Sequence, residues 1–427
     1  MSVKEKKQKK AKQVFYGVHN KADAFKPGKH KIYYAQAVYG DEEIEAVTKC
    51  LQEGWLGMGK YVAEFESKVA RIFGKKYGIV LNSGSSANYL ALKILHLPAG
   101  SEVITPACTF ATTFSTIVLN GLVPVVADSK LGSYNLDTEQ LEKMLSPKTR
   151  AIIVPHTLGN LNDMERIAKF CKKHNLYFIE DSCDTIGGTF NGKPTGSFSD
   201  ITTSSFYASH HVTAAGGGGI LCVNDPELAK HAYAYREWGR AAQNDSEHLD
   251  DRFVPHLTGV HYDKKFTYTH MGHNLKPVEA MFAFGLVQLK KLPAAIKARR
   301  KVVNEYNKFF KKYGEYFITP EEHEKANVTW LAYPLTIKDG APFDRFELVK
   351  FLEGRNIQTR LLFAGNILRH PGYKDVPHRV VGTLENADKV MRDSIVIGAH
   401  HGMTDEMVGY VKEAFEEFLQ KYKVKSK

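Results

Sequence analysis

Short apolar segments alternate with helix-like segments through the first half of the chain, and this order restricts the possible folds more than any other feature of the sequence. Apolar runs of strand length lie at 77–81, 102–105, 123–127, 151–154 and 176–179. Between the first two runs, Ala87, Leu90, Ala91, Ile94 and Leu95 share one face of a predicted helix. Strands that alternate with helices in this way predict an α/β domain with a largely parallel sheet.

The pattern changes after about residue 290, which indicates a second domain. A Lys/Arg-rich helix is predicted at 294–314, followed by a strand at 330–335 and helices at 343–354 and 404–422. Because a chain of 427 residues usually forms more than one core, we expect a large domain at 31–290 and a smaller C-terminal α+β domain at 291–420. Residues 31–55 are expected to pack with the smaller domain.

The formal charge of +11 is concentrated at the two ends of the chain. Residues 1–12 carry +5 and residues 421–427 carry +4, which leaves +2 for everything between them. A nearly neutral body argues against nucleic-acid binding. We interpret 1–30 as a flexible basic tail and 421–427 as a second basic tail.

Other features of the sequence disfavour a membrane or secreted protein. No apolar run reaches the roughly 18 residues that a membrane-spanning helix needs. No apolar segment follows the basic N-terminus as it would in a signal peptide. The five cysteines are scattered, and none forms a Cys-x-x-Cys pair. We therefore expect a cytoplasmic protein with reduced thiols and no metal site.

Ligands of parallel α/β sheets bind at the carboxyl ends of the strands, and two segments there carry candidate site residues. Residues 82–88, Asn-Ser-Gly-Ser-Ser-Ala-Asn, open a helix, where backbone N–H groups and the hydroxyls of Ser85 and Ser86 can bind phosphate. Residues 203–219 place Ser205 and the pair His210 and His211 before four consecutive glycines. Taken singly, each segment also fits a simpler role, a helix cap in the first case and a flexible loop in the second.

Two other strand ends carry side chains that suit a cationic aromatic ring. Asp181 ends an apolar strand, and a buried carboxylate needs a partner such as a protonated pyridine nitrogen. Phe110 lies just beyond another strand end, in Thr-Pro-Ala-Cys-Thr-Phe at 105–110. A helix cap at Asp181 and a core position for Phe110 are the alternatives.

In this order and spacing, these segments resemble the DegT-like branch of fold-type I pyridoxal-phosphate enzymes, which act on nucleotide sugars. The resemblance covers about residues 35–420. It implies an α/β, aspartate-aminotransferase-like fold with a large, mostly parallel-sheet domain and a smaller C-terminal α+β domain. It also implies that Ser85, Ser86 and Ser205 hold the phosphate of pyridoxal phosphate or pyridoxamine phosphate.

The resemblance assigns roles to four further residues. Asp181 would pair with the pyridine nitrogen, Asp184 would approach the 3-hydroxyl of the cofactor, and Phe110 would stack on its ring. Asn274 matches an asparagine that reaches the phosphate in the neighbouring subunit. The resemblance therefore implies a homodimer with shared sites.

The most important departure from the family pattern is at position 210. Most members are aminotransferases with a lysine five residues after the phosphate-binding serine, but counting from Ser205 leads to His210. An imidazole cannot form the covalent bond to the cofactor that a primary amine forms, although it can move a proton. This histidine is typical of the family's sugar 3-dehydratases. The resemblance thus implies a PLP/PMP-dependent nucleotide-sugar 3-dehydratase of deoxysugar and surface-polysaccharide biosynthesis, with His210 as general base.

Segments 236–240, 266–276 and 359–371 look most like the iron–sulfur 3-dehydratase of CDP-sugar pathways, but its cysteines are missing. No cysteine follows Cys222, and the single thiol of Cys183 cannot hold a cluster that needs four ligands. We therefore expect no iron–sulfur cluster and regeneration of the aminated cofactor from glutamate, as in the cluster-free GDP-sugar enzymes. A second departure is Gly216, where the family usually has a glutamate.

Three functions stay open at this point. They are the cluster-free 3-dehydratase, a sugar aminotransferase or reductive dehydratase with another electron source, and a non-catalytic regulatory homologue. Arg360, Asn366 and Arg369 match a segment that borders the active site, and we predict that some of them contact the substrate. Surface or interface positions are the alternative for them. Further histidines, which we expect to be structural, are His156, His211, His270 and His273.

Overall fold

The computed structural model describes residues 25–241, 252–257 and 259–423. Of the predicted tail at 1–30, residues 1–24 lie outside the described residues. Residues 424–427 of the second predicted tail lie outside them too. The last helix continues through Lys423, three residues beyond the predicted end of the C-terminal domain, so residues 421–423 are helical.

Strands and helices alternate through the first two thirds of the described chain. The strands are β1 Tyr77–Leu81, β2 Glu102–Pro106, β3 Val123–Ala127, β4 Thr149–Pro155, β5 Tyr177–Asp181, β6 Thr189–Phe190, β7 Lys193–Pro194, β8 Ile201–Ser205, β9 Gly219–Val223, β10 Phe253–Leu257, β11 Val260–Asp263, β12 Phe317–Ile318, β13 Ala326–Asn327, β14 Tyr333–Ile337, β15 Arg379–Val381 and β16 Ser394–Ile397. The helices are α1 Asp41–Gln52, α2 Lys60–Ile72, α3 Gly84–Lys93, α4 Ala111–Leu119, α5 Leu141–Met144, α6 Met164–His174, α7 Pro226–Arg236, α8 Glu279–Phe310, α9 Arg345–Gly354, α10 Glu385–Asp393 and α11 Asp405–Lys423.

The main sheet has eight strands in the order β1-β9-β8-β5-β4-β2-β3-β15. Only β9 runs antiparallel to its neighbours, whereas the pairs from β8 to β15 are all parallel. The central strands are buried along nearly their whole length because helices cover both faces of a parallel sheet. The five strands predicted from apolar runs all lie in this sheet.

Two predicted elements differ from the structure for physical reasons. The helix predicted at 294–314 begins instead at Glu279, because Pro293 lies inside a continuous 32-residue helix rather than ending one, as proline usually does. The strand predicted at 330–335 begins only at Tyr333. Strands β8 and β9 were not predicted. Strand β8 consists mainly of Thr and Ser and lacks an apolar run, whereas β9 contains the apolar run Ile-Leu-Cys-Val, a signal that was available in the sequence.

The N-terminal and C-terminal parts of the chain are interleaved. Helix α8 crosses the boundary that the sequence suggests at residue 290. Strand β15, from the C-terminal part, pairs with β3 at the edge of the main sheet. Near the start of the described chain, Ile32 forms a parallel bridge with Ile357 and lies in a hydrophobic cluster that includes residues of the C-terminal part.

Helices in the described part of the chain are all too short or too polar to cross a membrane. The parallel arrangement has a more specific consequence for function. In register, Pro155 of β4 pairs with Asp181 of β5, and Asp181 pairs with Thr203 of β8. The carboxyl ends of these strands therefore meet at one edge of the sheet, where their loops form a cavity.

Candidate active site

A cavity of about 600 Å³ opens at the carboxyl ends of β4, β5 and β8. It brings together most of the side chains that the sequence singled out, although they come from distant segments. The predicted residues that line it are Ser85, Phe110, Asp181, Asp184, Ser205, His210 and Arg360. None of the described residues lining the cavity is a lysine.

Asp181 lies at the floor of this cavity, only 4% exposed. Its Oδ2 accepts hydrogen bonds from Asn88 Nδ2 and Thr113 Oγ1, both at 2.7 Å, and its Oδ1 accepts one from the Cys183 N–H at 3.1 Å. A carboxylate offers about four lone pairs, so roughly one is left to accept a further donor. The two side-chain donors fix the orientation of the carboxylate before any ligand arrives.

The amino end of α3 forms a second wall. Ser83 caps the helix by accepting a hydrogen bond from the Ser86 N–H at 3.1 Å. A Cβ on Gly84 would come within 2.7 Å of the Ser205 Cβ and 2.8 Å of the Cys183 Sγ, so glycine lets the helix start approach β8 closely. The first N–H groups of a helix have no intrahelical acceptor, which makes this end suitable for an anion.

His210 faces the cavity in a defined tautomer. Its Nδ1 lies 3.1 Å from the backbone oxygen of Ser205. Because a carbonyl oxygen can only accept, Nδ1 carries the proton and Nε2 keeps a free lone pair. Burial lowers the pKa of His210 to about 4, and the nearby positive charge of Arg299 contributes to that shift. The side chain is therefore a neutral base at physiological pH.

Asp184 lies opposite His210 and is perturbed in the other direction. Burial, and then the negative charge of Asp181, raise the pKa of Asp184 to about 8, although the Leu158 N–H bond at 3.1 Å acts against this. Asp184 Oδ1 is 3.9 Å from His210 Nε2, which is too far for a hydrogen bond. The pKa directions describe a neutral acid facing a neutral base rather than an ion pair.

Arg299 is a buried cation whose charge acts on His210. It is fully buried, and its Nη1 donates to the Leu331 oxygen at 2.6 Å while its Nε donates to His401 Nδ1 at 3.2 Å. Burial lowers the pKa of its guanidinium to about 9. No carboxylate neutralises this charge among the contacts recorded for the described residues. Burial is the main cause of the lowered pKa values of His210, His211 and His401, and the charge of Arg299 lowers them further.

Four predicted site residues do not line the cavity. The hydroxyl of Ser86 donates to Asn82 Oδ1 at 2.6 Å and so belongs to the cap of α3. Asn274 is exposed on the segment that precedes α8. Asn366 and Arg369 both bind Asp388 of α10, Asn366 through one hydrogen bond of 2.8 Å and Arg369 through two, of 2.7 and 2.9 Å.

Sequence reasoning missed several residues that build the site. Asn88 is 1% exposed on the otherwise apolar face of α3, and that polar residue among apolar neighbours was an available signal. Thr113 gave none, because it lies in an ordinary helix, α4. Thr112 lines the cavity beside Ser85, whose hydroxyl it contacts at 3.3 Å. Tyr34 and Tyr207, from loops, also line the cavity.

The departure at Gly216 fits the local backbone. Its φ is +101°, in the region that favours glycine, and the preceding Ala215 is also left-handed. The Gly216 N–H donates to Thr213 Oγ1 at 3.1 Å. The turn between residues 213 and 217 is therefore built for a glycine here.

The histidines expected to be structural have structural contacts in three cases. His211 donates from Nε2 towards the backbone oxygens of Thr329 and Trp330. His156 is fully buried between Glu180 and Asn162, although it also borders the cavity. His273 packs edge-on against Tyr89. His270 belongs to a separate group of histidines.

Known proteins of similar sequence match most of the length of this chain. It is 38% identical over 395 residues to the lipopolysaccharide biosynthesis protein RfbH of Salmonella typhimurium, covering 90% of each chain. It is also 38% identical over 419 residues to a dTDP-4-dehydro-2,6-dideoxy-D-glucose 3-dehydratase of Saccharopolyspora spinosa, covering 95% of this chain and 90% of the relative.

A solved structure gives the same result for the fold. A GDP-4-keto-6-deoxymannose-3-dehydratase, described with a trapped PLP-glutamate geminal diamine, superposes with a TM-score of 0.82 at 28% identity, covering 90% of this chain and 99% of the other. The predicted fold class, the α/β fold of fold-type I aminotransferase-like enzymes, is confirmed. Residues 38–416 match the family model described as DegT/DnrJ/EryC1/StrS aminotransferase family. This chain belongs to that family, as its sequence motifs indicated.

Proposed function

We propose that this chain is a PLP/PMP-dependent enzyme of nucleotide-sugar metabolism, and specifically a 3-dehydratase of an NDP-4-keto-6-deoxyhexose. One observation carries the specific activity. At the position five residues after Ser205 the cavity presents the free Nε2 of His210, and no lysine is found among the described lining residues. A histidine base that forms no covalent bond to the cofactor suits elimination, whereas transamination in this family uses the lysine.

The cavity fits the cofactor that the family implies. Asp181 has about one lone pair free and faces the cavity beside a second acid, Asp184. A positively charged ring N–H would supply a hydrogen bond to Asp181 and positive charge beside both acids. At the other end, the start of α3 with Ser85 and Ser205 suits a phosphate. Phe110 is 52% exposed at the cavity rim, where its ring is available to stack on an aromatic ligand.

When bound in its amine form, the cofactor supplies the amine that links to the keto sugar and the electron sink that stabilises negative charge. The protein supplies the proton transfers. His210 Nε2 can accept a proton from a ligand atom in the cavity, because Nδ1–H is committed to the Ser205 oxygen. Asp184, while protonated, can donate a hydrogen bond to a ligand oxygen.

Arg360 is the best-placed residue for the diphosphate of the substrate. It lines the cavity, its guanidinium carbon lies 5.0 Å from the centre of the Tyr34 ring, and its backbone is fixed by two hydrogen bonds to Val396. A planar guanidinium can bind phosphate oxygens in a bidentate manner. Asn366 and Arg369 are retained as weaker proposals, because both are engaged with Asp388 outside the cavity.

We propose that glutamate, rather than a reductase, restores the amine form of the cofactor. The five cysteines lie on separate elements in α1, α6, β9 and the loops after β2 and β5, whereas a cluster needs four ligands at one place. A solved relative described with PLP and glutamate supports the choice of donor. The segment from 242 to 251, where the iron–sulfur enzymes have cysteines, lies outside the described residues and contains none.

A homodimer with shared sites is also part of the proposal. Asn274 is exposed, and the chain around it exposes a group of large apolar side chains, of which Met271 is 94% exposed. Contiguous exposed apolar side chains usually mark an interaction surface. The other exposed members are Phe266, Tyr268 and Val278.

A borohydride experiment tests the absence of the covalent lysine. We expect wild-type protein loaded with pyridoxal phosphate and then reduced to carry no cofactor-labelled lysine, whereas the His210→Lys variant should become labelled at residue 210. With pyridoxamine phosphate and CDP-, GDP- and dTDP-4-keto-6-deoxyhexoses, the same variant should lose about 10²–10⁴-fold of the dehydration rate and gain transamination. Mass spectrometry of the peptides and of the sugar products measures both.

Three results would count against the proposal. A labelled lysine in the wild type would contradict the role of His210 as a base that is not covalently bonded to the cofactor. Unchanged dehydration by the His210→Lys variant would contradict its role as general base. Failure of the folded protein to bind the cofactor at all would favour a non-catalytic homologue.

A further inference from the structure

Three histidines from distant segments converge outside the cavity. His96 follows α3, His231 lies on α7, and His270 lies on the segment before α8. One nitrogen of each can be chosen so that all three lie within 4.8 Å of one another. We refer to these residues as the histidine cluster. Neither the fold nor the proposed dehydration requires it.

The distances suit a common metal ligand set. His231 Nδ1 and His270 Nε2 share a hydrogen bond of 3.0 Å. This separation is close to the roughly 3.3 Å between two nitrogens bound to one tetrahedral Zn²⁺ at about 2.0–2.1 Å. His96 is the exposed member of the group, so its side chain is free to turn towards the other two. Its ring centre already lies 4.8 Å from that of His231 and 5.9 Å from that of His270.

A second contact has the form of a metal-site support. The other ring nitrogen of His270, Nδ1, lies 2.9 Å from Thr269 Oγ1. Metal-binding histidines usually donate their second N–H to such a partner, which fixes the tautomer and the ring orientation. The Thr269 and His270 N–H groups both donate to the Gly239 oxygen, at 2.8 and 3.2 Å. The backbone around His270 is therefore held in place.

The charges around the cluster have opposing effects. Burial, followed by His231, lowers the pKa values of His96 and His270, and Lys93 and Lys230 contribute to His96 and His270 respectively. These lysines disfavour a cation through their charge. An imidazole binds metal in its neutral form, which the ordinary histidine pKa of about 6.5 already makes the major form at neutral pH.

We propose that His96, His231 and His270 form a binding site for a divalent transition metal such as Zn²⁺, with the remaining coordination position open. Three imidazoles suit zinc, cobalt, nickel and copper rather than magnesium or calcium. The site joins the end of α3, helix α7 and the segment that carries Asn274. A bound metal would therefore clamp that segment to the body of the protein. Such a site was not predicted from the sequence, because the three histidines are separated by 39 residues or more.

Cobalt titration of the untagged full chain, stripped of metal with a chelator, tests the proposal directly. We expect one Co²⁺ per chain with visible absorption bands of a low-coordinate nitrogen site, displacement by Zn²⁺, and a Zn²⁺-dependent rise in Tm. His96→Asn should weaken Co²⁺ binding by about tenfold or more. Thr269→Val should weaken it by about 10–100-fold. Asparagine is suitable at position 96 because His96 has a φ of +48°, which asparagine tolerates.

His273→Gln is the matched control, since it removes a histidine from the same segment but outside the cluster. It should leave both the cobalt spectrum and the Tm shift unchanged. Circular dichroism in the absence of metal shows whether each variant is folded. Equal Co²⁺ affinity in wild type, His96→Asn and His231→Gln would overturn the proposal, as would a wild type that binds no Co²⁺ in large molar excess. Neither result depends on the cofactor or on sugar dehydration, so the proposed function is tested separately.

Discussion

The floor of the cavity and the polar cluster formed by Asn366, Arg369 and Asp388 use similar residue types in opposite ways. At the floor, Asp181 is buried and receives three fixed hydrogen bonds. Its neighbour Asp184 has no cationic partner in hydrogen-bonding range among the residues that the structure describes, and its pKa is raised to about 8. In the polar cluster, Arg369 satisfies Asp388 in a bidentate pair and lowers its pKa.

The difference separates a site prepared for a ligand from one that is already complete. At the floor, Asp181 is held in place by its hydrogen bonds, but no ion pair with it occurs among the described residues, so a cationic ligand can supply the missing positive charge. In the polar cluster the charges neutralise each other, and the pair is more than one third exposed. Exposed pairs of this kind stabilise a fold by at most about 1 kcal/mol. A buried charged group that lacks a partner of opposite charge is therefore a better guide to function than a charged residue on a segment that matches the family pattern.

The largest effect is expected from Asp181→Asn. The change removes the negative charge that would face a protonated ring nitrogen but keeps the shape of the side chain. Breaking a buried charge pair costs about 3–5 kcal/mol, so dehydration should fall by roughly 10²–10⁴-fold. Turnover of the keto sugar with saturating pyridoxamine phosphate measures this loss.

The matching change in the polar cluster is Asp388→Asn, which should leave turnover within about threefold of wild type. Circular dichroism and thermal melting of both variants without cofactor show whether either is misfolded. If Asp181→Asn were as active as Asp388→Asn, the charge at the floor would have no catalytic role, and the contrast between the two regions would be wrong.

A second effect of the same contrast is a difference in pH dependence. The pKa of Asp184 is about 8 in the folded chain against an ordinary 3.8, so the folded form keeps a proton that the unfolded form releases between these values. This carboxyl therefore makes the fold progressively less stable as pH rises from about 4 to 8. Asp184→Asn removes that slope, so its Tm relative to wild type should rise across the window.

Asp388→Asn should show the opposite sign. The pKa of Asp388 lies below its ordinary value because Arg369 binds the carboxylate, so the carboxylate stabilises the fold once it is ionised, and that contribution is lost as pH falls through the folded pKa. The variant should therefore lose stability relative to wild type as pH rises through the folded pKa towards the ordinary value of 3.8, and the difference should level off above that value. Melting curves of the protein without cofactor at several pH values test both signs. Parallel pH curves for Asp184→Asn and wild type would contradict the raised pKa.

The strand-end residues were predictable from sequence because a parallel sheet imposes their convergence. Asp181 ends β5, which was predicted from its apolar run, whereas Ser205 ends β8, which was not. The family motif therefore indicated Ser205 and His210, and the parallel pairing of β5 with β8 brings them beside Asp181. The register itself was not needed. Residues at the start of α3 were predictable for the same reason, since that helix follows β1 at the same edge.

Residues that depend on packing between distant segments were not predictable. Thr113 reaches Asp181 only because α4 packs beside α3, and nothing in its own helix marks it. Strand β15 was missed because its three residues are stable only as an edge of the main sheet. The match of Asn366 and Arg369 to a family segment did not indicate that Asp388, on a different helix, would bind both.

The smallest expected effect is on the KM of variants of Arg360 and Arg369. These two arginines of the C-terminal segment compare the cavity with the polar cluster most directly. Arg360 lines the cavity, and its side chain hydrogen-bonds the backbone oxygen of Thr359, so no carboxylate competes for it among its recorded contacts. Loss of a charged hydrogen-bonding group costs about 1.5–3 kcal/mol. Arg360→Ala should therefore raise the KM for the nucleotide sugar by about 10–100-fold.

Arg369→Ala is the matched control, because it removes the same side chain nine residues away. Its charge is already paired with Asp388 and lies outside the cavity, so the KM should change by less than about threefold while stability falls by at most about 1 kcal/mol. Initial rates at several substrate concentrations separate KM from kcat, and urea unfolding measures stability. A larger KM effect for Arg369→Ala than for Arg360→Ala would mean that the arginine frees itself from Asp388 when substrate binds. The polar cluster would then be part of the substrate site rather than a completed structural contact.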